Sequence, residues 1–573
     1  MGIPVPLECL QEILQFLQDD LKSLYATLFV DKLWCINVIP ILYKNPFVLL
    51  NQALFTTRNF NDAFEIHGEK ILLLLDIYLS HLTLQQRLEW EEKGIMLTKN
   101  VEPLLFDYLS YLRILPIPEV RHAILLWCNK NYNIRNHRNF IEIELNKLFF
   151  TKCKNINTIM LDESSQLPEL ENLLPNFHNL NFICSKLFDT SILEKLIPYC
   201  DKIKVLSILR FGNKTTMNDK FIIPKIINKS KSLEKFYWES IKNYDESFIT
   251  KSLENHINSL THIEIYNNFS FHIINLISKC FYLKKLRLSK NFLNNFPQFI
   301  NDDSNDDNKF IDITPFINPN CYFPYLQELF FGFIPKISHH FDILLRNTNN
   351  SLKILGTNWL NSINFLDLYC ENLNFLYLKL SFKDFIKFFN LKKLPNSLTK
   401  LIFISSSSSN LNNDNDININ DFLFHLGNIL PINIKFIHLG MFYKFFSIDY
   451  LSKFFLNCHD ILSFLPLELI LPFNIYINNN HHDDDYYLNL NLLIKSFFKQ
   501  NVLSKNTWIL FLYFYLKDCR KCSSCNGRLL DEENPIEPFK EIIIITHCSC
   551  YKHHIEPFIL RELQDGEDEE NVV

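Results

Sequence analysis

One short phrase recurs through the middle of the chain and limits what it can fold into. It consists of an aliphatic residue, two variable residues, an apolar residue, one variable residue and a second apolar residue. It reads Ile156-x-x-Ile159-x-Leu161, Ile203-x-x-Leu206-x-Ile208, Leu233-x-x-Phe236-x-Trp238, Leu260-x-x-Ile263-x-Ile265 and Leu283-x-x-Leu286-x-Leu288. It continues as Leu326-x-x-Leu329-x-Phe331, Leu373-x-x-Leu376-x-Leu378, Leu398-x-x-Leu401-x-Phe403 and Ile434-x-x-Ile437-x-Leu439, with weaker copies starting at Leu180 and Leu352. The intervals between leading residues are 24, 23, 30, 27, 23, 43, 26, 21, 25 and 36. A segment of that length cannot bury its apolar face alone, so the copies must stack on one another.

The two longest intervals carry polar inserts, Asn301–Lys309 and Ser405–Asp421, whose Asn, Asp and Ser content adds nothing to a core. Phrase and period together resemble leucine-rich repeats, whose units run about 20 to 29 residues. Each copy then supplies one strand, apolar positions inward and intervening positions outward, and the strands build a parallel sheet with a readable concave face. The outward positions include Lys204 and Ser207, Glu234, Glu328 and Phe375. The candidate target-binding residues among them are Tyr237, His262, Glu264, Lys285, Arg287, Phe330 and Tyr377, a mixture of charge and aromatics that suits protein recognition. The alternative is a purely structural array whose face binds nothing.

Glycine sets a second limit. The 573 residues include only 10 glycines, and the closest pair, Gly427 and Gly440, is 13 positions apart. No window holds the glycine pattern of a dinucleotide fold, a P-loop or a hydrolase nucleophile elbow. None of the 18 histidines precedes a glutamate, so the His-Glu-x-x-His metalloprotease motif is missing too. What remains in view is a binding protein or an enzyme of unusual design, and the expectation is a chain that is not itself an enzyme. Asparagine tolerates left-handed backbone and takes the place of glycine in the turns. The formal charge of −6, from 57 basic and 63 acidic residues, gives no reason to expect nucleic acid as a partner, and the basic stretch Lys225–Lys235 reads as a solvated face.

The first residues form no signal peptide, Pro6 spoils a myristoylation pattern, and the apolar runs Ile71–Leu82 and Trp508–Leu516 are interrupted or short for a membrane span. Ten of the 15 cysteines are scattered from Cys9 to Cys458, mostly among apolar residues, as buried free thiols are. A soluble protein of a reducing cytoplasmic or nuclear compartment is expected, with no membrane partner.

At the N-terminus, Leu7, Leu10, Leu14 and Leu17 fall at helical spacing, widened by Ile13. Asp19 or Asp20 can cap a second helix carrying Leu21, Leu24 and Leu28, and a third around Asp31–Ile39 would end before Pro40. So small a unit usually needs a partner or the next domain to cover it. The stretch resembles an F-box. The likeness rests on Pro6-Leu7-x-Cys9-Leu10, Ile13-Leu14-x-x-Leu17, Asp20-Leu21-x-x-Leu24, Val30-x-Lys32-x-Trp34 and Ile39-Pro40-Ile41-Leu42, with Tyr43 where many members carry a second tryptophan. It implies docking on a Skp-type adaptor of a cullin complex through Pro6, Leu7, Leu10, Leu14, Val30 and Trp34; packing within the three helices is the alternative role, favoured for Trp34. From Asn51 to about Asn146 the sequence looks helical, and Pro103–Pro116 resembles the linker of fungal F-box proteins with leucine-rich repeats.

The expected class is α/β. Its parts are an F-box-like module (1–48), a helical linker region (49–150), the leucine-rich-repeat solenoid (151–440, with inserts at 301–309 and 405–421) and a C-terminal extension or cap (441–516). A Cys-rich module (517–560) and an acidic tail (561–573) follow. The implied function is that of a substrate receptor of an SCF-type ubiquitin ligase, with the target protein unnamed; a non-ligase repeat scaffold is the alternative. In the Cys-rich module, Cys522-x-x-Cys525-x-Gly527 has the shape of a zinc knuckle, and Cys548 and Cys550 can complete a closed four-thiolate site. The same cysteines can equally be unmetallated thiols. Metal analysis of the purified chain separates these readings: one bound zinc is the outcome of the knuckle and none that of plain thiols, whereas two would point to a RING-like pair.

Overall fold

The computed structural model describes residues 6–18, 20–47, 60–97, 104–130, 132–162, 177, 179–186, 191–208, 219–239, 246–267, 270–289, 310–318, 321–332, 334–335, 339–357, 366–380, 391, 393–405, 419–440, 448–461, 468–476, 508–514 and 544–545. The protein is α/β and divides into two units, residues 1–259 and 260–573.

The first unit opens with α1 (Leu7–Phe16), α2 (Leu21–Thr27) and α3 (Lys32–Leu42). Asp20 accepts the Ser23 amide at 3.0 Å and Asp31 accepts the Trp34 amide at 2.9 Å, so both later helices start on a carboxylate cap. Leu10, Leu14, Leu24, Val38 and Leu42 pack as the core of this group. Helix α3 runs through Pro40 instead of stopping before it. Proline in a last turn forfeits one bond to the carbonyl four residues back, and the Tyr43 amide still closes on Ile39 at 3.0 Å. Helices Phe60–Leu79, Leu84–Glu92, Ile117–Lys130 and Arg138–Lys152 follow. Phe47 lies 5.8 Å from Tyr78 and 6.4 Å edge-on from Phe149, which fixes the exit of α3 against them.

This region is not all helical. Strand β1 (Ile114–Pro116) pairs in parallel with β2 (Thr158–Asp162), which pairs with β3 (Phe182–Lys186), then β4 (Val205–Ile208) and β5 (Lys235–Glu239). Leu112-x-x-Leu115-x-Ile117 is thus a further copy of the phrase, with all three residues buried. The ladder begins inside the expected linker, and two helices between this copy and the next hid it.

The second unit continues the pattern with β6 (His262–Tyr266), β7 (Lys285–Ser289), a short side pair of β8 (Phe310–Ile311) and β10 (Ile334–Pro335), β9 (Glu328–Phe331) and β11 (Ile354–Thr357). After these come β12 (Phe375–Leu380), β13 (Lys400–Ser405), β14 (Phe436–Gly440), β15 (Glu468–Tyr476), β16 (Trp508–Phe514) and β17 (Ile544–Ile545). From β6 each strand of the main sheet pairs in parallel with the next in sequence; β15 and β16 extend the ladder through the expected C-terminal cap, and β17 extends it into the expected Cys-rich module. In all eleven copies recognised in the sequence, the three phrase positions are buried, including Ser185 and Thr357 in the two weaker ones.

One hydrogen-bond device repeats in both units. The two amides that follow most of the leading aliphatics donate to a single carbonyl of the preceding repeat. In the first unit Asn181 and Phe182 donate to Asn157 at 2.9 and 3.0 Å, and in the second Gln327 and Glu328 donate to Lys284 at 2.8 and 3.0 Å. The series starts before the first strand, where Arg113 and Ile114 both donate to the carbonyl of Lys44 at 3.1 Å. Sharing one carbonyl leaves the carbonyl of the leading residue without an amide, and serine supplies the missing donor. Ser259 hydroxyl donates to Leu233, Ser351 to Leu326 and Ser397 to Leu373, at 2.7 to 2.8 Å.

Cysteines occupy the helix-to-strand junctions. Cys153, Cys200, Cys280 and Cys370 each stand three places before a leading aliphatic and are buried, and burial pushes the thiols of Cys200, Cys280 and Cys370 up to about 12. Cys9 is the exposed exception. Asparagine does supply left-handed backbone: Asn267, Asn349 and Asn350 have φ of 71°, 50° and 59°. Asn350→Ala should therefore lower the stability of the second unit by about 1 kcal/mol in urea unfolding, while Asn350→Gly should stay near the parent, because alanine keeps the Cβ penalty without asparagine's local hydrogen bonding and glycine has no Cβ.

Candidate functional site

Two surfaces hold the residues that the sequence singled out. The first is formed by α1 to α3. Leu10 and Leu14, one turn apart on α1, point into the core of the three-helix group and are fully buried, so they build the unit instead of presenting it. Trp34 packs against the same core in its packing role. Pro6 caps α1 and is exposed, as are Leu7 beside it and Val30 in the turn before α3. Phe16 and Phe29 are the barest aromatic side chains here, 74% and 87% exposed. Neither was singled out in the sequence; Phe16 ends α1 and Phe29 lies in the turn between α2 and α3. Tyr43, at the end of the group, rests 4.3 Å from Tyr108.

The second surface is the outward face of the strands in the second unit. Register places Glu264, Arg287, Phe330, Gly356, Tyr377, Ile402 and His438 in one row across β6, β7, β9, β11, β12, β13 and β14. His262, Lys285 and Glu328 lie in the row beside it. Tyr237 stands in the first unit on β5, opposite Ser207 of β4, and is half-buried.

The expectation of an open readable face holds for only part of this row. Glu264, Arg287 and Tyr377 are buried; His262, Lys285 and Phe330 are half-buried. Strands about 4.8 Å apart bring side chains of one row into mutual cover. Glu264 accepts a hydrogen bond from the Tyr266 hydroxyl and pairs with Arg287 at 3.7 Å and with Lys285 at 3.5 Å, while Lys285 also reaches Glu328 at 3.0 Å. Burial is the largest influence on Arg287 and opposes its charge, but Glu264, Tyr266 and Glu328 together outweigh it and shift the guanidinium upward, so it stays charged. Two acids and two bases balance, and this cluster offers no net charge to a ligand.

Arg287 lies 4.4 Å above the Phe330 ring, and that ring lies across Gly356 so closely that a Cβ there would come within 2.2 Å of it. Gly356 is one of the positions in this glycine-poor chain where only hydrogen fits. Further along the row, His438 is wholly buried, with Ile402 and Ile470 as its register partners, and neither ring nitrogen meets a hydrogen-bond partner among the described residues. Sequence reading passed over His438, yet it occupies the same phrase position as Glu264 and Arg287.

Cys522, Cys525, Cys548 and Cys550 lie outside the described residues, and among the described residues no group of three or more potential metal ligands is found. No helix among the described residues is long and apolar enough to cross a membrane. No protein-family model matches the sequence, and no curated protein matches it either.

His438 makes the second unit acid-sensitive. Burial holds its imidazole down to about 4, against 6.5 ordinarily. The folded state thus keeps the ring neutral while the unfolded chain takes up a proton below pH about 6.5, so stability is full above that pH and falls as pH drops, by up to about 3 kcal/mol near pH 4. In urea unfolding at pH 7 and pH 5, His438→Leu should show a smaller acid loss than the parent chain.

Proposed function

We propose that the chain is the substrate-recognition subunit of an SCF-type, cullin-RING ubiquitin ligase. In this reading α1 to α3 are the F-box that docks on a Skp-type adaptor. The leucine-rich-repeat array holds a target protein of the cytosol or nucleus, and other subunits transfer ubiquitin. The chain is not an enzyme; it supplies proximity.

The observation that carries the reading is the apolar surface of the N-terminal helices. These helices have their own closed core, yet eight of the 24 large apolar side chains exposed among the described residues lie between Leu7 and Ile36. Val30, named from the F-box likeness, is 59% exposed. Clustered bare apolar side chains of this kind mark a surface that another protein covers.

A second reading also has an observation in its favour. The Lys44 carbonyl closes the first rung of the ladder, so the same helices end-cap the array, as terminal elements of repeat proteins do. A non-ligase scaffold needs nothing more from them. Affinity purification of the full chain should recover adaptor and cullin, and a Pro6→Ala/Leu7→Ala double variant should lose both while its unfolding free energy stays within about 0.5 kcal/mol, since these side chains are exposed. Recovery unchanged by the double variant overturns docking through this face. If deletion of residues 1–45 then unfolds the array, the end-cap role alone remains.

A further inference from the structure

We propose that His256 is an acid-released latch in the first unit: one neutral imidazole holds the helix before β5 to the first residue of the β5 repeat, and a proton on it lets that junction open. The ring is buried, 3% exposed, at the end of the short turn Glu254–His256 that follows helix Ser247–Leu253. Its Nδ1 lies 3.2 Å from the Leu233 amide and its Nε2 lies 2.9 Å from the Ile227 carbonyl. An amide N–H only donates and a carbonyl only accepts, so Nδ1 carries the lone pair and Nε2 the hydrogen. Both bonds exist together in that one neutral form.

The backbone around the ring shows why it is needed. In seven other copies of the phrase the leading aliphatic donates its amide to the carbonyl three places before it, as Leu180 does to Phe177, Ile203 to Cys200 and Leu373 to Cys370 at 2.9 to 3.3 Å. The Leu233 amide goes instead to the histidine of the following segment. The helix Asp219–Lys229 also ends short of its own needs. One more turn would give Ile227 the amide of Lys231, but that amide donates to Asp201 at 3.1 Å. His256 thus serves one stranded donor and one stranded acceptor that the backbone leaves over. The Asn255 side chain ties to that of Asn228 at 3.2 Å and the Ser259 hydroxyl donates to Leu233 at 2.7 Å, so bonds on either side set the ring in place.

Protonation removes what the junction uses. An imidazolium has two N–H groups and no lone pair, so it turns a donor toward the Leu233 amide. The charge also lacks a buried counter-charge. Lys225 and Lys229 on the helix, Lys231 in the turn, and Lys251 and Glu254 beside the ring are all exposed. Lys225 pairs with Glu194, Lys231 with Asp201 and Glu234 with Lys204, while Glu246 is buried at the opposite end of helix Ser247–Leu253. Burial holds the imidazole below its ordinary value, and the Ile227 carbonyl offsets this only in part. The latch is therefore closed at neutral pH, and its hold weakens as pH falls below about 6.5, where a released ring takes up a proton. The rung of this strand survives, since Glu234 and Lys235 reach the Lys204 carbonyl at 2.8 and 2.9 Å with main-chain atoms alone. Opening is confined to the junction 227–233, directly before the strand that carries Tyr237.

The test is hydrogen exchange of the full chain, read by mass spectrometry at pH 7.5 and 5.5 and corrected for the intrinsic pH dependence of amide exchange. Segment 227–235 should lose protection by up to about tenfold at the lower pH, the factor by which a ring that protonates only when released favours the open form. Segment 198–205 of the same unit, whose leading amide bonds to Cys200, should keep its protection. In His256→Asn, whose side-chain oxygen can accept from Leu233 but takes no proton, the acid loss in 227–235 should vanish. Equal protection of 227–235 at both pH values in the parent chain overturns the latch. So does an equal loss in 198–205, which would report general acid unfolding, and so does an acid loss that persists in folded His256→Asn. The two parent segments decide the matter alone if the variant does not fold.

Discussion

The structure depends on a carbonyl shared by two amides. At the start of most strands the backbone brings two consecutive N–H groups to one oxygen; among the described residues there are eleven such rungs, five in the first unit and six in the second, with every bond between 2.7 and 3.1 Å. A carbonyl has two lone pairs, so it can satisfy both donors. The arrangement fixes where each repeat begins relative to the one before and thereby sets the register of the whole strand. It also creates a need, because the adjacent carbonyl is left over, and the serines that serve it make a sequence feature out of a backbone requirement. The buried cysteines at the helix-to-strand junctions are small, apolar and inert in the same service.

The N-terminal helices are bound into this scheme. Lys44 provides the oxygen of the first rung, Tyr43 rests on Tyr108, and Phe47 lies against Tyr78 and Phe149. The group is therefore held at its exit, while Leu7, Phe16, Phe29 and Val30 keep their side chains exposed. The residues that seal the core and make the joint are different from these four.

Much of the repeat architecture was legible because burial of one strand face leaves a period that no polar substitution can hide. The eleven copies, their inward residues and the role of asparagine in left-handed turns all appear in the structure as the sequence implied. The copy at Leu112 was not legible, since the two long helices after it broke the interval and Pro116 stands within its strand. Nor was the burial of Glu264 and Arg287, because a strand pattern tells which way a side chain points and not how far its neighbours cover it. Leu10 and Leu14 were misplaced for a related reason: an amphipathic helix shows its apolar stripe, but only packing shows which part of the stripe is inside.

The phrase itself is tolerant. Its third position is leucine, isoleucine, phenylalanine or tryptophan, and also serine at Ser185 and threonine at Thr357, all enclosed by the same backbone rungs. The rungs are made by main-chain atoms and are indifferent to side-chain identity, so descent can exchange nearly every letter of a repeat while the architecture persists. The repeat is therefore specified less by which residue stands at a place than by how far apart the main-chain donors and acceptors recur.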